Sequence, residues 1–123
     1  MSDTSLLEAL KAVVGPSGFR EGSDIDPRNY TDWMGARAIS PIILLRPSNT
    51  FEVSAILTLC NEAGQPLAPQ GGMTGLVSAA APLAGEISLS FERMNRIEEI
   101  DPYSSTMTVE AGVLLQTIQE QAQ

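Results

Sequence analysis

The sequence predicts an α/β fold, a small parallel sheet built on a β-α-β unit and flanked by helices. Three observations predict it. Ile42-Ile43-Leu44-Leu45 is an unbroken apolar run of the kind found in parallel strands buried on both faces. Asn49 then carries a capping signal, and apolar residues follow it at helical spacing. Finally, Pro66-Leu67-Ala68 resumes an apolar run that feeds directly into a glycine-rich turn.

Each element has a local cause. Ser5, with Glu8 three residues on, forms a capping box for a first helix whose apolar positions are Leu6, Leu7, Leu10, Val13 and Val14. Gly15-Pro16 stops it. Residues 15–41 are rich in Gly, Pro, Ser, Asp and Asn and read as an irregular connector. Its dense patch, Tyr30-Thr31-Asp32-Trp33, either faces a ligand or anchors the loop on the core. Asn49 caps the second helix, with Glu52 at the reciprocal position. Val53, Ile56, Leu57 and Cys60 make its inner face, so Leu57 and a packed Cys60 thiol are expected inside. Gly64 ends that helix. Beyond the glycine turn, segments 86–90, 96–100 and 106–110 read as strands, the last two joined at Asp101-Pro102-Tyr103-Ser104. Ala111-Gly112 leads into a final helical pattern with Leu114, Leu115 and Ile118. That pattern reaches Gln123 without Gly or Pro and reads as an interruption.

Composition narrows the function. A chain of 123 residues has room for one domain with a modest core. A formal charge of −8 disfavours nucleic acid or an anionic membrane surface as partner. No apolar run approaches the roughly 20 residues that span a bilayer. Cys60 is the only cysteine and there is no histidine. No intrachain disulfide is possible, and no zinc or iron site is expected from these residues. The start, Met1-Ser2-Asp3-Thr4-Ser5, has neither a basic secretory leader nor an Arg-rich presequence, so the expected location is the cytosol.

The chemistry concentrates in Pro69-Gln70-Gly71-Gly72-Met73-Thr74-Gly75-Leu76-Val77-Ser78. Glycine removes the Cβ that would hold a ligand away. Consecutive N–H groups in such a turn converge on anions, and Thr74 and Ser78 add hydroxyl donors. The turn has no lysine, which excludes a Walker A loop. Gly71 and Gly72 are adjacent, which does not match the dinucleotide fingerprint. Two readings stand at this level: a backbone cradle for a nucleotide diphosphate, and a purely structural tight turn.

Five motifs in order carry a resemblance: Tyr30-Thr31-Asp32-Trp33, Leu45-Arg46-Pro47 with Glu52-Val53, the glycine turn, Arg93-Met94-Asn95-Arg96-Ile97, and Val109-Glu110-Ala111-Gly112-Val113. Together they resemble the start of the FAD-linked oxidases with the PCMH-type (vanillyl-alcohol-oxidase-type) flavin fold. Within that group they resemble the branch of D-2-hydroxyglutarate dehydrogenase, D-lactate dehydrogenase and the glycolate oxidase D subunit. The resemblance implies FAD contacts at Pro69, Gln70, Gly71, Gly72, Met73, Thr74, Gly75, Leu76 and Ser78, and an approach of Ala111 and Gly112 to the flavin. It implies a 2-hydroxy acid substrate and an electron acceptor for the complete protein. Residues 1–41 would be an N-terminal helix and connector, and 42–123 the flavin-binding domain, broken off at its C-terminal end.

FAD is expected to be non-covalent, because no histidine is present to link it. No catalytic residue is assigned: Asp32 and Glu110 come nearest to a base, and both read as solvated or structural. Departures from the family pattern are Met73 where Asn is usual, and Ser78 and Ala79 where Gly is usual. After Trp33 the usual arginine-rich stretch is replaced by residues 34–39, where only Arg37 is basic. Two alternatives accompany this reading: a module that keeps the fold without catalysis, and an oxidoreductase of the same fold acting on another alcohol or amine.

Overall fold

The computed structural model describes residues 3–29, 41–73 and 81–123. The Tyr30-Thr31-Asp32-Trp33 patch, residues 34–39 and the second half of the glycine turn lie outside the described residues.

Helix α1 (Asp3–Val14) begins two residues ahead of Ser5. Ser5 and Glu8 are therefore inside the helix and do not cap it. The stripe that fixes the helix is Leu6, Leu10 and Val14, all buried at four-residue spacing. Strand β1 (Phe19–Arg20) follows a short 3₁₀ turn, and two more 3₁₀ turns end at Asp24 and Asn29. Strand β2 (Leu44–Leu45) is shorter than the apolar run suggests. Ile43 is buried, whereas Ile42 at the start of the run is 45% exposed.

Helix α2 (Thr50–Ala63) is capped by Asn49, whose side-chain oxygen accepts the Glu52 N–H at 2.9 Å. The Glu52 carboxylate reaches back to the Ser48 N–H at 2.8 Å, one residue earlier than a reciprocal box predicts. Gly64 takes the left-handed conformation (φ 65°), and the next amide, Gln65 N–H, returns to the Cys60 carbonyl at 2.8 Å. Ile56 and Cys60 are buried as expected, but Leu57 is 48% exposed. The buried face is centred on the Ile56–Cys60 line and takes Leu59 as its flank, so Leu57 falls on the solvent side.

Strands β3 (Leu67–Gln70) and β4 (Ile87–Ser90) complete a four-stranded sheet in the order β1-β2-β4-β3. Strands β2, β4 and β3 run parallel, and β1 is antiparallel to β2. The two strands of the predicted β-α-β unit are thus not neighbours, because β4 lies between them. All four residues of β4 are buried, which suits a central strand. β3 leaves Pro69 exposed, which suits an edge. Helices α1 and α2 pack on each other, and Leu6, Leu10, Ile56 and Cys60 share one core with Ile43, Leu45, Ile87 and Leu89.

Strands β5 (Ile97–Asp101) and β6 (Thr106–Val109) form a separate antiparallel hairpin, as predicted. Asp101 Oδ1 accepts the Tyr103 and Ser104 amides at 3.0 and 3.4 Å and so closes the turn. Helix α3 (Leu115–Gln121) follows.

Candidate functional site

A cleft of about 890 Å³ opens where three turns meet. One follows β3 (Gly71, Gly72, Met73), one follows β4 (Ser90, Glu92, Asn95), and one precedes α3 (Gly112, Val113, Leu114). A fourth wall comes from Arg28, Asn29 and Arg46.

Backbone hydrogen bonds explain how these segments come together. Phe91 N–H extends the ladder by donating to the Gln70 carbonyl (3.0 Å), and Met94 N–H folds back to the Phe91 carbonyl (2.8 Å). Gly112 N–H then docks on the Met94 carbonyl at 2.8 Å. A Cβ on Gly112 would sit 1.8 Å from the Phe91 carbonyl oxygen, so glycine is required there by the backbone itself.

The hairpin base is latched by Arg96 and Glu110. Arg96 Nε donates to Glu110 Oε1 at 2.8 Å, the Arg96 N–H donates to the same carboxylate oxygen at 3.0 Å, and the Glu110 N–H donates to the Arg96 carbonyl at 2.9 Å. The Arg96 guanidinium holds the Glu110 carboxyl below its usual range. A carboxylate engaged in this way is a poor general base. Burial pushes the Cys60 thiol up, so it is a packed thiol and not a reactive one.

The residues singled out from the sequence fall into three groups. Gly71, Gly72, Met73 and Gly112 line the cleft together. At Gly71 the nearest atom to an added Cβ is the Ala111 carbonyl oxygen at 3.5 Å, which places Ala111 beside the turn. At Gly72 it is Leu114 Cδ2 at 3.4 Å, so a side chain there would extend along the cleft wall. Pro69 and Gln70 belong to strand β3 and not to the turn. The buried Gln70 amide is engaged elsewhere: Oε1 accepts from Asn29 Nδ2 (3.1 Å), while Nε2 donates to the Asn29 carbonyl (2.5 Å) and to Ser88 Oγ (3.2 Å). Thr74, Gly75, Leu76 and Ser78 lie outside the described residues.

Sequence reading missed Arg28, Asn29, Arg46 and Glu92. Arg28 and Asn29 sit in an aperiodic stretch that offers no pattern to read. Arg46 was visible beside Pro47, but its place in the wall depends on the sheet. Glu92 bridges both arginines: Arg28 Nη2 lies 2.7 Å from Oε2, and Arg46 Nε pairs with Oε1.

A glycine turn at the C-terminal end of a parallel strand, open to a cleft of ligand size, defines a nucleotide-binding α/β domain. The chain belongs to the FAD binding domain family, which it matches over residues 41–123. It is 37% identical over 109 residues to a probable mitochondrial D-2-hydroxyglutarate dehydrogenase of Oryza sativa subsp. indica, covering 89% of this chain and 20% of that protein. It is 36% identical over 114 residues to a putative mitochondrial D-lactate dehydrogenase of Schizosaccharomyces pombe, covering 93% of this chain and 20% of that protein. The chain thus spans about a fifth of the length of these relatives. Among solved structures, p-cresol methylhydroxylase with substrate bound superposes with a TM-score of 0.79 at 24% identity, over 96% of this chain and 24% of that one. The PCMH-type flavin fold and FAD as cofactor are borne out. The cytosolic expectation is overturned, because the rice and fission-yeast relatives are both mitochondrial proteins. That expectation rested on missing leader and presequence signals in residues 1–5, and a missing signal does not fix a compartment.

The residues present fit a flavin dinucleotide. The cleft volume lies in the range of cofactor sites, and the turn offers backbone at Gly71 and Gly72 with no Cβ in the way. Among the described residues no cluster of His, Cys, Asp and Glu is placed to hold a metal, and no helix is long and apolar enough to cross a membrane.

Proposed function

We propose that this chain holds and orients FAD for an oxidoreductase acting on a D-2-hydroxy acid. The observation that carries the reading is the pair of bare glycines, Gly71 and Gly72, facing a cleft wide enough for a dinucleotide. When bound, FAD supplies the hydride acceptor for the alcohol carbon of the substrate. Backbone N–H groups of Gly71, Gly72 and Met73, with Thr74, Gly75, Leu76 and Ser78, hold its diphosphate. Pro69 and Gln70 set the angle at which the strand delivers that turn. Ala111 and Gly112 form the opposite lip and exclude water there. The substrate class is supported by the names of the rice and fission-yeast relatives, a D-2-hydroxyglutarate and a D-lactate dehydrogenase. The general base comes from outside the described residues, and so do the contacts to an electron acceptor.

The test is to purify the product of the full reading frame and record its visible spectrum. D-2-hydroxyglutarate and D-lactate are then assayed with a dye acceptor. Stoichiometric flavin and dye reduction with one of them are expected. Gly72→Val is expected to abolish flavin absorbance while the protein stays folded, because a branched side chain enters the space the cofactor needs. A folded Gly72→Val protein that remains yellow would overturn this placement.

A further inference from the structure

Resting on the flavin reading, we infer that Arg28 and Arg46 supply the cationic side-chain charge for the cofactor's diphosphate, with Glu92 holding the two guanidinium groups in place. The described part of the glycine turn contributes backbone donors but no cation. A diphosphate adds negative charge to a chain whose formal charge is already −8. Backbone dipoles alone would have to overcome that repulsion. The cleft is the local exception to the acidic balance: its described charged lining is Arg28, Arg46 and Glu92, two cations against one anion.

The geometry gives each residue a part. Arg46 donates Nε to Glu92 and Nη1 to the Ser17 carbonyl at 2.9 Å, so its plane is fixed. Arg28 rests Nη2 on the other Glu92 oxygen, has Nε 4.0 Å from Asp26 Oδ2, and keeps a side chain that is 65% exposed at the cleft. Its distance from the turn is set by a buried lock. Asn29 is the residue after Arg28, Gln70 is the residue before Gly71, and the two amides bond each other. The cation and the anion-binding turn are therefore one residue from either end of the same clamp. A guanidinium is suited to this position because its planar fork matches phosphate oxygens.

The test uses the flavin-free product of the full reading frame and compares FAD with riboflavin, which lacks phosphate, and with inorganic pyrophosphate as competitor. Arg28→Gln is the primary variant, since its exposed side chain is not needed for packing; Arg46→Gln is the second. FAD affinity is expected to fall roughly tenfold or more in each, the scale of a lost charge-assisted hydrogen bond. Pyrophosphate should lose its ability to compete, and riboflavin binding should be unchanged. The salt dependence of FAD binding should also flatten. Unchanged FAD affinity in a folded Arg28→Gln protein would overturn the inference and leave the flavin reading intact. Equal losses for FAD and riboflavin would overturn it too, since they report cleft shape and not charge. A wild-type protein that binds neither flavin would overturn both readings.

Discussion

Gly112→Ala and Gly72→Ala make the same chemical change on opposite sides of one cleft, and the structure assigns them opposite consequences. A methyl on Gly112 would lie 1.8 Å from the Phe91 carbonyl oxygen, 2.6 Å from its carbon and 2.8 Å from the Met94 carbonyl oxygen. All three are backbone atoms, so no rotamer change relieves the overlap. Ordinary contact begins near 3.4 Å, and the turn after β4 must retreat by well over an ångström. That displacement breaks the bonds from Gly112 N–H to Met94 O and from Met94 N–H to Phe91 O. Losing two such bonds, with partners left poorly paired, costs about 2–5 kcal/mol. This is a large share of the roughly 5–15 kcal/mol by which domains are stable. At Gly72 the added methyl meets only the flexible end of Leu114 at 3.4 Å, and the change in stability should stay within about 1 kcal/mol. Urea denaturation followed by far-ultraviolet circular dichroism separates the two, with FAD titration as the second axis. Gly112→Ala should lose stability first and flavin as a result, and Gly72→Ala should keep its midpoint and weaken flavin binding. A Gly112→Ala protein of wild-type stability would refute the backbone argument.

Three further outcomes are expected. Ile56→Ala should cost about 2–5 kcal/mol in denaturation free energy and Leu57→Ala less than about 1, because only the first side chain is fully buried; the reverse order would mean that α2 is rotated. Met73 has φ 62°, a conformation that costs most side chains energy, so Met73→Asn or Met73→Gly should raise the urea midpoint by up to about 1 kcal/mol in stability terms. The Glu110 carboxyl is held below its ordinary 4.5 by hydrogen bonds from Arg96, and Asp101 below its ordinary 3.8 by hydrogen bonds from Ser104 and Tyr103. Depressed carboxylates stabilise the fold above their unfolded pKa and lose that contribution as pH falls through the lowered value. The melting temperature should therefore drop on acidification below the ordinary carboxylate range. A Glu110→Gln, Asp101→Asn double variant should show a shallower drop, and an identical slope would exclude the hairpin as its source.

Local physics was legible and tertiary placement was not. Asn49, Gly64 and Asp101 act through bonds that span two to five residues, and each was readable from its neighbours in sequence. The α2 face was half readable: Ile56 and Cys60 follow the period, but which flank is buried depends on where the sheet lies. The insertion of β4 between β2 and β3 depends on pairings some twenty residues or more apart in the chain, which a β-α-β pattern does not encode. In the site, the glycines were visible because missing Cβ atoms leave a compositional trace. Arg28 and Glu92 meet across a separation of 64 residues, and neither carries a local signal of that meeting.

Among the described residues Pro69 occupies the outer edge of the sheet, and this has a consequence for association between chains. Phe91 N–H bonds the Gln70 carbonyl and Ile87 N–H bonds the Pro66 carbonyl, so in β3 the even-numbered residues direct their backbone groups at β4. Leu67 and Pro69 direct theirs outward. An edge strand normally offers a row of donors and acceptors to any passing strand. At Pro69 that row has no N–H to offer, and a rigid ring stands in its place. The lip from which the glycine turn departs is therefore a poor template for strand addition by a second molecule. A residue of the strand that delivers the glycine turn also discourages that edge from extending the sheet into an aggregate.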